Sequence, residues 1–118
     1  MEKDKNYLRL EHILESIRRI EFITKELSYG DYLEDWIKQD VITRNIEIIG
    51  EASRQIDDAF KSLYPDVEWR NATAMRNFVI HEYFDVNYDE VWKTLQMDIP
   101  VLKKKVLTIK QELDQKNI

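Results

Sequence analysis

Residues 87–113 read NYDEVWKTLQMDIPVLKKKVLTIKQEL. Within them Tyr88, Trp92, Leu95, Ile99, Leu102, Val106, Ile109 and Leu113 stand alternately four and three apart. That spacing lines one face of an α-helix, and the seam is sustained over about 25 residues. Asn87 stands at the cap position and Glu90 three residues later, as in a capping box. Pro100 cannot donate a backbone hydrogen bond and crowds the preceding turn, so the helix is expected to bend there.

The same periodicity recurs elsewhere in the chain. Leu10, Ile13, Ile17, Ile20, Ile23 and Leu27 make a stripe on a first helix, predicted from roughly Tyr7 to Ser28. Tyr29-Gly30-Asp31 closes it, with Gly30 suited to a left-handed C-terminal residue. A short helical turn follows near Asp31 to Lys38, with Asp31 and Glu34 at capping-box spacing. A long helix from roughly Asp40 to Leu63 carries Ile42, Ile46, Ile49, Ala52, Ile56, Ala59 and Leu63. Gly50 lies inside it. A mid-helix glycine costs about 1 kcal/mol relative to alanine, so a close helix contact is expected there. Tyr64-Pro65-Asp66 ends this segment. The third segment, Trp69 to Tyr83, mixes polar and apolar positions least regularly, and local inconsistency of this kind marks functional regions. The expectation is an all-α, up-and-down bundle of four to five helices in a single domain, residues 1–118.

Composition narrows the class. Two glycines and two prolines in 118 residues are too few for a turn-rich β-sandwich or a flexible linker protein. Cysteine is absent, which excludes a disulfide framework and a thiolate zinc site. The first residues show no secretory signal and no apolar run reaches membrane-spanning length, so a soluble, cytoplasmic protein is expected. Eighteen basic and 23 acidic residues leave a net charge of −5. Bulk charge therefore does not mark a nucleic-acid binder, and any such binding needs a local patch or a composite site. Trp36, Trp69, Trp92 and several tyrosines exceed what one small bundle needs to bury, which points to a homodimer.

Reactive groups are few. His12 sits among acidic residues on the first helix and reads as solvated or packing. His81 lies in RNFVIHEY, residues 76–83. On a helix Asn77 and His81 share a face, while Arg76 and His81 are about 140° apart and meet only if the guanidinium bends round or a second copy contributes. A histidine titrating near neutrality can take a proton from a ribose 2′-hydroxyl. An arginine can stabilise the phosphorane charge with a bidentate fork. That pairing supports phosphodiester cleavage without a metal. On spacing alone the alternative stays open that Arg76 pairs with a nearby carboxylate and His81 merely ends a helix. Glu47 and Glu51 could join His81 as metal ligands, but they read better as partners of Arg44 and Arg54. Lys103-Lys104-Lys105 reads as a solvated face.

Met75-Arg76-Asn77 with His81 and Tyr83 forms R-x4-H-x-Y, and this pattern resembles the HEPN superfamily, specifically its HepT-like toxins. The likeness extends to RNIEIIGEA at residues 44–52, Trp69-Arg70, HEYFDV at residues 81–86, Val91-Trp92 and Asp98-Ile99-Pro100. The resemblance implies a helical dimer with the motifs lining a cleft between protomers. It implies a metal-independent, cofactor-free endoribonuclease acting on RNA, tRNA or mRNA, with His81 as general acid/base, Arg76 on the phosphate and Asn77 orienting His81. Asn45 and Glu51 would support the site from the second long helix. It also implies a toxin–antitoxin pair, in which a minimal nucleotidyltransferase antitoxin adds AMP to Tyr83. A modified phenol would place bulk and negative charge where substrate phosphate must sit. The rival expectation is a non-catalytic helical module that supports a nucleotidyltransferase.

Overall fold

The computed structural model describes residues 2–77 and 87–116. Among these, the chain is all-α. The helices are α1 (Glu2–Thr24), α2 (Tyr29–Glu34), α3 (Trp36–Gln55), α4 (Asp58–Leu63), α5 (Trp69–Ala74), α6 (Tyr88–Lys93) and α7 (Ile99–Lys116). A π-helical turn, Thr94–Asp98, joins α6 to α7. The most extensive contact is between α1 and α3; α5 packs on α3, and α7 packs on α1.

The predicted stripes form the core. Leu10, Ile13, Ile17 and Ile20 of α1 meet Ile42, Ile46 and Ile49 of α3, all at 0–1 % exposure. Leu95, Ile99, Leu102, Val106, Ile109 and Leu113 are buried as the seam requires. Burying a side chain of this size contributes roughly 1.5–3 kcal/mol, so the three stripes dominate the energetics. Tyr88 and Trp92, at the head of the seam, are only partly buried, and Val91 takes the fully buried position.

Four boundaries differ from expectation. First, α1 ends at Thr24, and the left-handed residue is Glu26, at φ 62°, rather than Gly30. Gly30 lies inside α2, whose cap is Ser28, accepting from the Asp31 N–H at 3.1 Å. Second, α3 starts at Trp36 because the Asp35 carboxylate accepts from the Lys38 N–H at 3.1 Å. Third, the long helix does not run on to Leu63. Ile56 is extended, and Asp57 N–H donates to Asn6 Oδ1 at 3.1 Å while Asn6 Nδ2 donates back to Asp57 Oδ2 at 3.2 Å. The buried Asn6 thus supplies partners for the broken turn. Beyond the break the stripe fails: Ala59 is exposed and Leu63 is 71 % exposed. Fourth, the irregularity in the last segment is the π-helical turn just before Pro100. In a regular α-helix the proline ring would collide with the carbonyl four residues back, Gln96, and the deformation lies in that preceding turn. The Asn87 cap is as expected, accepting from the Glu90 N–H at 3.1 Å.

Several of the aromatic side chains pack within the chain. Tyr32 is fully buried, with its ring centroid 4.8 Å from that of Trp92, and its hydroxyl donates to the Tyr88 carbonyl at 3.1 Å. Burial pushes the Tyr32 phenol well above its ordinary pKa. Gln39 Nε2 donates to the carbonyls of Tyr32 and Leu33, which fastens α2 to α3. Trp69 is buried and its indole N–H donates to the Tyr64 carbonyl at 3.0 Å. Trp36, by contrast, is 68 % exposed.

Candidate active site

The site is organised by the contact between α3 and the end of α5. Gly50 is buried in α3, and a Cβ built on it would lie 2.4 Å from the backbone nitrogen of Arg76. No side chain fits in that gap. The expected close approach at Gly50 is therefore present, and the segment it admits is the one carrying Arg76. Trp69, Ala72 and Met75 anchor α5 in the core, leaving Arg76 at its edge. Of the helix predicted from Trp69 to Tyr83, α5 covers Trp69–Ala74, a turn interrupts it at Met75 and Arg76, Asn77 is helical again, and residues 78–83 lie outside the described residues. Met75 and Arg76 form a turn in which Arg76 N–H bonds the Thr73 carbonyl at 3.3 Å.

Arg76 Nη1 lies 3.2 Å from Glu51 Oε2. Glu51 also accepts from Arg54 Nη2 at 2.6 Å and from Gln55 Nε2 at 3.2 Å. Chiefly through Arg54, then Gln55 and Arg76, these donors hold the Glu51 carboxyl at about 2, well below the usual carboxylate range. Glu51 is thus ionised at any physiological pH and orients two guanidinium groups at once. The pairing expected from spacing also holds nearby, with Arg44 Nη1 3.2 Å from Glu47 Oε1. So Arg76 does meet a carboxylate, yet it keeps partial exposure, and donors of its fork stay available to a phosphate.

The other expected site residues fare differently. Asn77 is exposed, immediately after the Met75–Arg76 turn. Asn45 is buried, and its Nδ2 donates to the Val41 carbonyl at 2.8 Å; it makes no bond to Arg76 and lies a turn and a half of α3 away from Glu51. His81 and Tyr83 lie outside the described residues. Among the described residues no group of three or more His, Asp and Glu side chains is placed to hold a metal ion. No helix among them is long and apolar enough to cross a membrane.

The described residues form an all-α bundle, consistent with a HEPN-like helical fold, and Arg76 is held just past the end of α5 by Glu51 of α3. The family model "Ribonuclease HepT-like" matches residues 13–109. The chain belongs to the HepT-like ribonuclease family. It is 46 % identical over 96 residues to a Thermococcus cleftensis protein named "Probable ribonuclease HepT", covering 81 % of this chain and 87 % of that one. It is 37 % identical over 94 residues to a "Putative RNase" of Methanocaldococcus jannaschii, covering 80 % and 86 % of the two chains. A "Putative RNase" of Caldanaerobacter subterraneus is 37 % identical over 103 residues, 87 % of this chain and 92 % of its own. No solved structure matches.

Proposed function

We propose that this protein is a metal-independent endoribonuclease and the toxin of a toxin–antitoxin pair. The observation that carries the reading is the seating of Arg76 of the R-x4-H-x-Y pattern, packed on Gly50 and braced by Glu51. A guanidinium anchored through one nitrogen presents its remaining N–H groups in a fixed orientation, which suits a phosphate whose negative charge grows in the transition state.

In this reading His81 removes the proton of a ribose 2′-hydroxyl. The 2′-oxygen bonds to phosphorus as the bond to the 5′-oxygen breaks. A protonated imidazole returns a proton to the leaving oxygen, and the products are a cyclic phosphate and a free 5′-hydroxyl. Arg76 stabilises the intervening charge, and Asn77 orients His81. One imidazole per protomer supplies the base, and the second copy in a homodimer supplies the acid. Glu51 serves as a positioning residue for Arg76. Neutralisation follows from a nucleotidyltransferase partner adding AMP to Tyr83, which puts phosphate charge beside the arginine. The site of action is the cytoplasm, where the RNA is.

The test is cleavage of tRNA and mRNA by unmodified protein in the presence of a chelator, beside Arg76→Ala and His81→Ala. Cutting by the parent protein alone supports the reading. Absence of cutting by folded, dimeric protein whose Tyr83 is shown by mass spectrometry to be unmodified overturns it in favour of a non-catalytic binding module.

A further inference from the structure

We infer that the groove between α1 and α3 is a binding track for single-stranded RNA that leads to Arg76. The inference rests on the ribonuclease reading above and extends it to a surface away from the reacting groups. Two adjoining depressions make up the groove. One is lined by Arg9, His12, Arg44 and Glu51 among others, and the next by Arg18, Arg19, Phe22 and again Arg44. Glu51, at one end, holds Arg76.

The charge distribution separates this face from the rest of a chain whose net charge is −5. Six of the seven arginines lie on it or bond to it. Glu15 bonds Arg18 and Arg19, Glu47 bonds Arg44, and Glu51 bonds Arg54 and Arg76. Those three carboxylates serve five guanidinium groups, and Arg9, which also lines the groove, brings the arginines to six. Asp40 also lines the groove, and the arginines still outnumber the acids. Lys103, Lys105 and Lys110 bond to Glu21, Asp66 and the Asp114 carboxylate from the C-terminal helix instead. Arginine is the side chain whose planar fork suits phosphate oxygens. At 1.5 Å per residue, Arg9 to Arg19 spans about 15 Å along α1. Phe22, 75 % exposed at the far end, offers a face on which a base can stack.

The experiment measures affinity for a single-stranded RNA long enough to span the groove, using His81→Ala protein across a salt series. Arg44→Ala and Arg19→Ala should weaken binding and lower the slope of log K against log salt by about 0.7 per phosphate contact removed. Phe22→Ala should weaken binding about fivefold or more with the slope unchanged. Lys104→Ala is the control that leaves both unchanged. In a cleavage-competent background Arg44→Ala should raise KM for long RNA and leave a dinucleotide substrate unaffected. Folded arginine variants with unaltered affinity and slope overturn the proposal. So does a change of oligomeric state with RNA affinity retained, which would make the face a protein interface. If the parent protein binds RNA through this groove yet never cuts it, the nuclease reading fails and the track stands. If it cuts and the variants bind normally, the track alone fails.

Discussion

Arg76 sits against Gly50 so closely that even one methyl group on the glycine would come within 2.4 Å of the arginine's backbone nitrogen. The obstacle is backbone, not the flexible end of a side chain, so it cannot step aside without moving the end of α5. Gly50→Ala is therefore expected to destabilise the protein despite alanine's better helix propensity. Overpacking costs about 1–3 kcal/mol, against about 1 kcal/mol gained in the helix. RNA cleavage should fall more steeply than stability, because the displaced element carries Arg76. Thermal denaturation and a cleavage assay on one preparation check both.

Glu51→Gln tests the brace. Arg54 and Arg76 would lose their shared anion, while hydrogen bonding of the same shape is partly kept. Glu51 is 39 % exposed, so the pair is well screened by solvent and stability at neutral pH should change by less than about 1 kcal/mol. Cleavage should drop, and Glu51→Asp should not restore it, because the shorter side chain no longer reaches Arg76.

The same carboxylate has a pH signature. Its folded pKa, about 2, lies below the ordinary value of 4.5. A depressed carboxyl contributes stability above the unfolded pKa and loses it as pH falls through the folded one. The parent protein should therefore lose thermal stability between about pH 4.5 and 2 more steeply than Glu51→Gln. Melting curves for the two proteins through that window would show parallel slopes if Glu51 plays no such part.

Asn6→Ala should destabilise the junction of α3 and α4. Two hydrogen bonds to Asp57 are lost from a side chain only 5 % exposed, at a cost of about 1–2 kcal/mol. Asn6 and Asp57 bond each other rather than Arg76 or Glu51, so RNA cleavage under folding conditions should be unchanged. Denaturant titration and the cleavage assay together decide.

His81→Ala and Tyr83→Phe should separate cleavage from control. Loss of the general base is expected to slow cutting by about 100-fold to 10,000-fold. Tyr83→Phe should keep cutting yet resist the nucleotidyltransferase partner, read as absence of an AMP mass increment. Retained AMP addition on the phenylalanine variant would move the modification to another residue.

Much of the fold was legible because helices announce themselves locally. The stripe from Leu10 to Ile20, the stripe from Ile42 to Ile49 and the seam from Leu95 to Leu113 are buried as their spacing implied. The Asn87 cap and the role of Gly50 were legible for the same reason, since each reports its own turn of helix. Of the site, the pairing of Arg44 with Glu47 and Arg54 with Glu51 could be read from i,i+3 spacing. The bond from Glu51 to Arg76 could not be placed, because 25 residues separate them. The interruption of the helix at Met75 and Arg76 was hidden for the same reason. The turn at Met75 and Arg76 follows from docking on α3, which leaves no trace in the periodicity.

The order of residue types along the chain specifies that it is helical, which faces of the helices are apolar and which family it belongs to. All three depend on residue type at short, regular intervals. Packing across the bundle set where α3 breaks, that Asn6 holds the break from 51 residues away, and that Glu26 rather than a glycine turns left-handed. Only it gathered six arginines beside one carboxylate-studded groove. These outcomes depend on which surfaces meet across the bundle, and contacts between distant residues carry no period for a sequence to display.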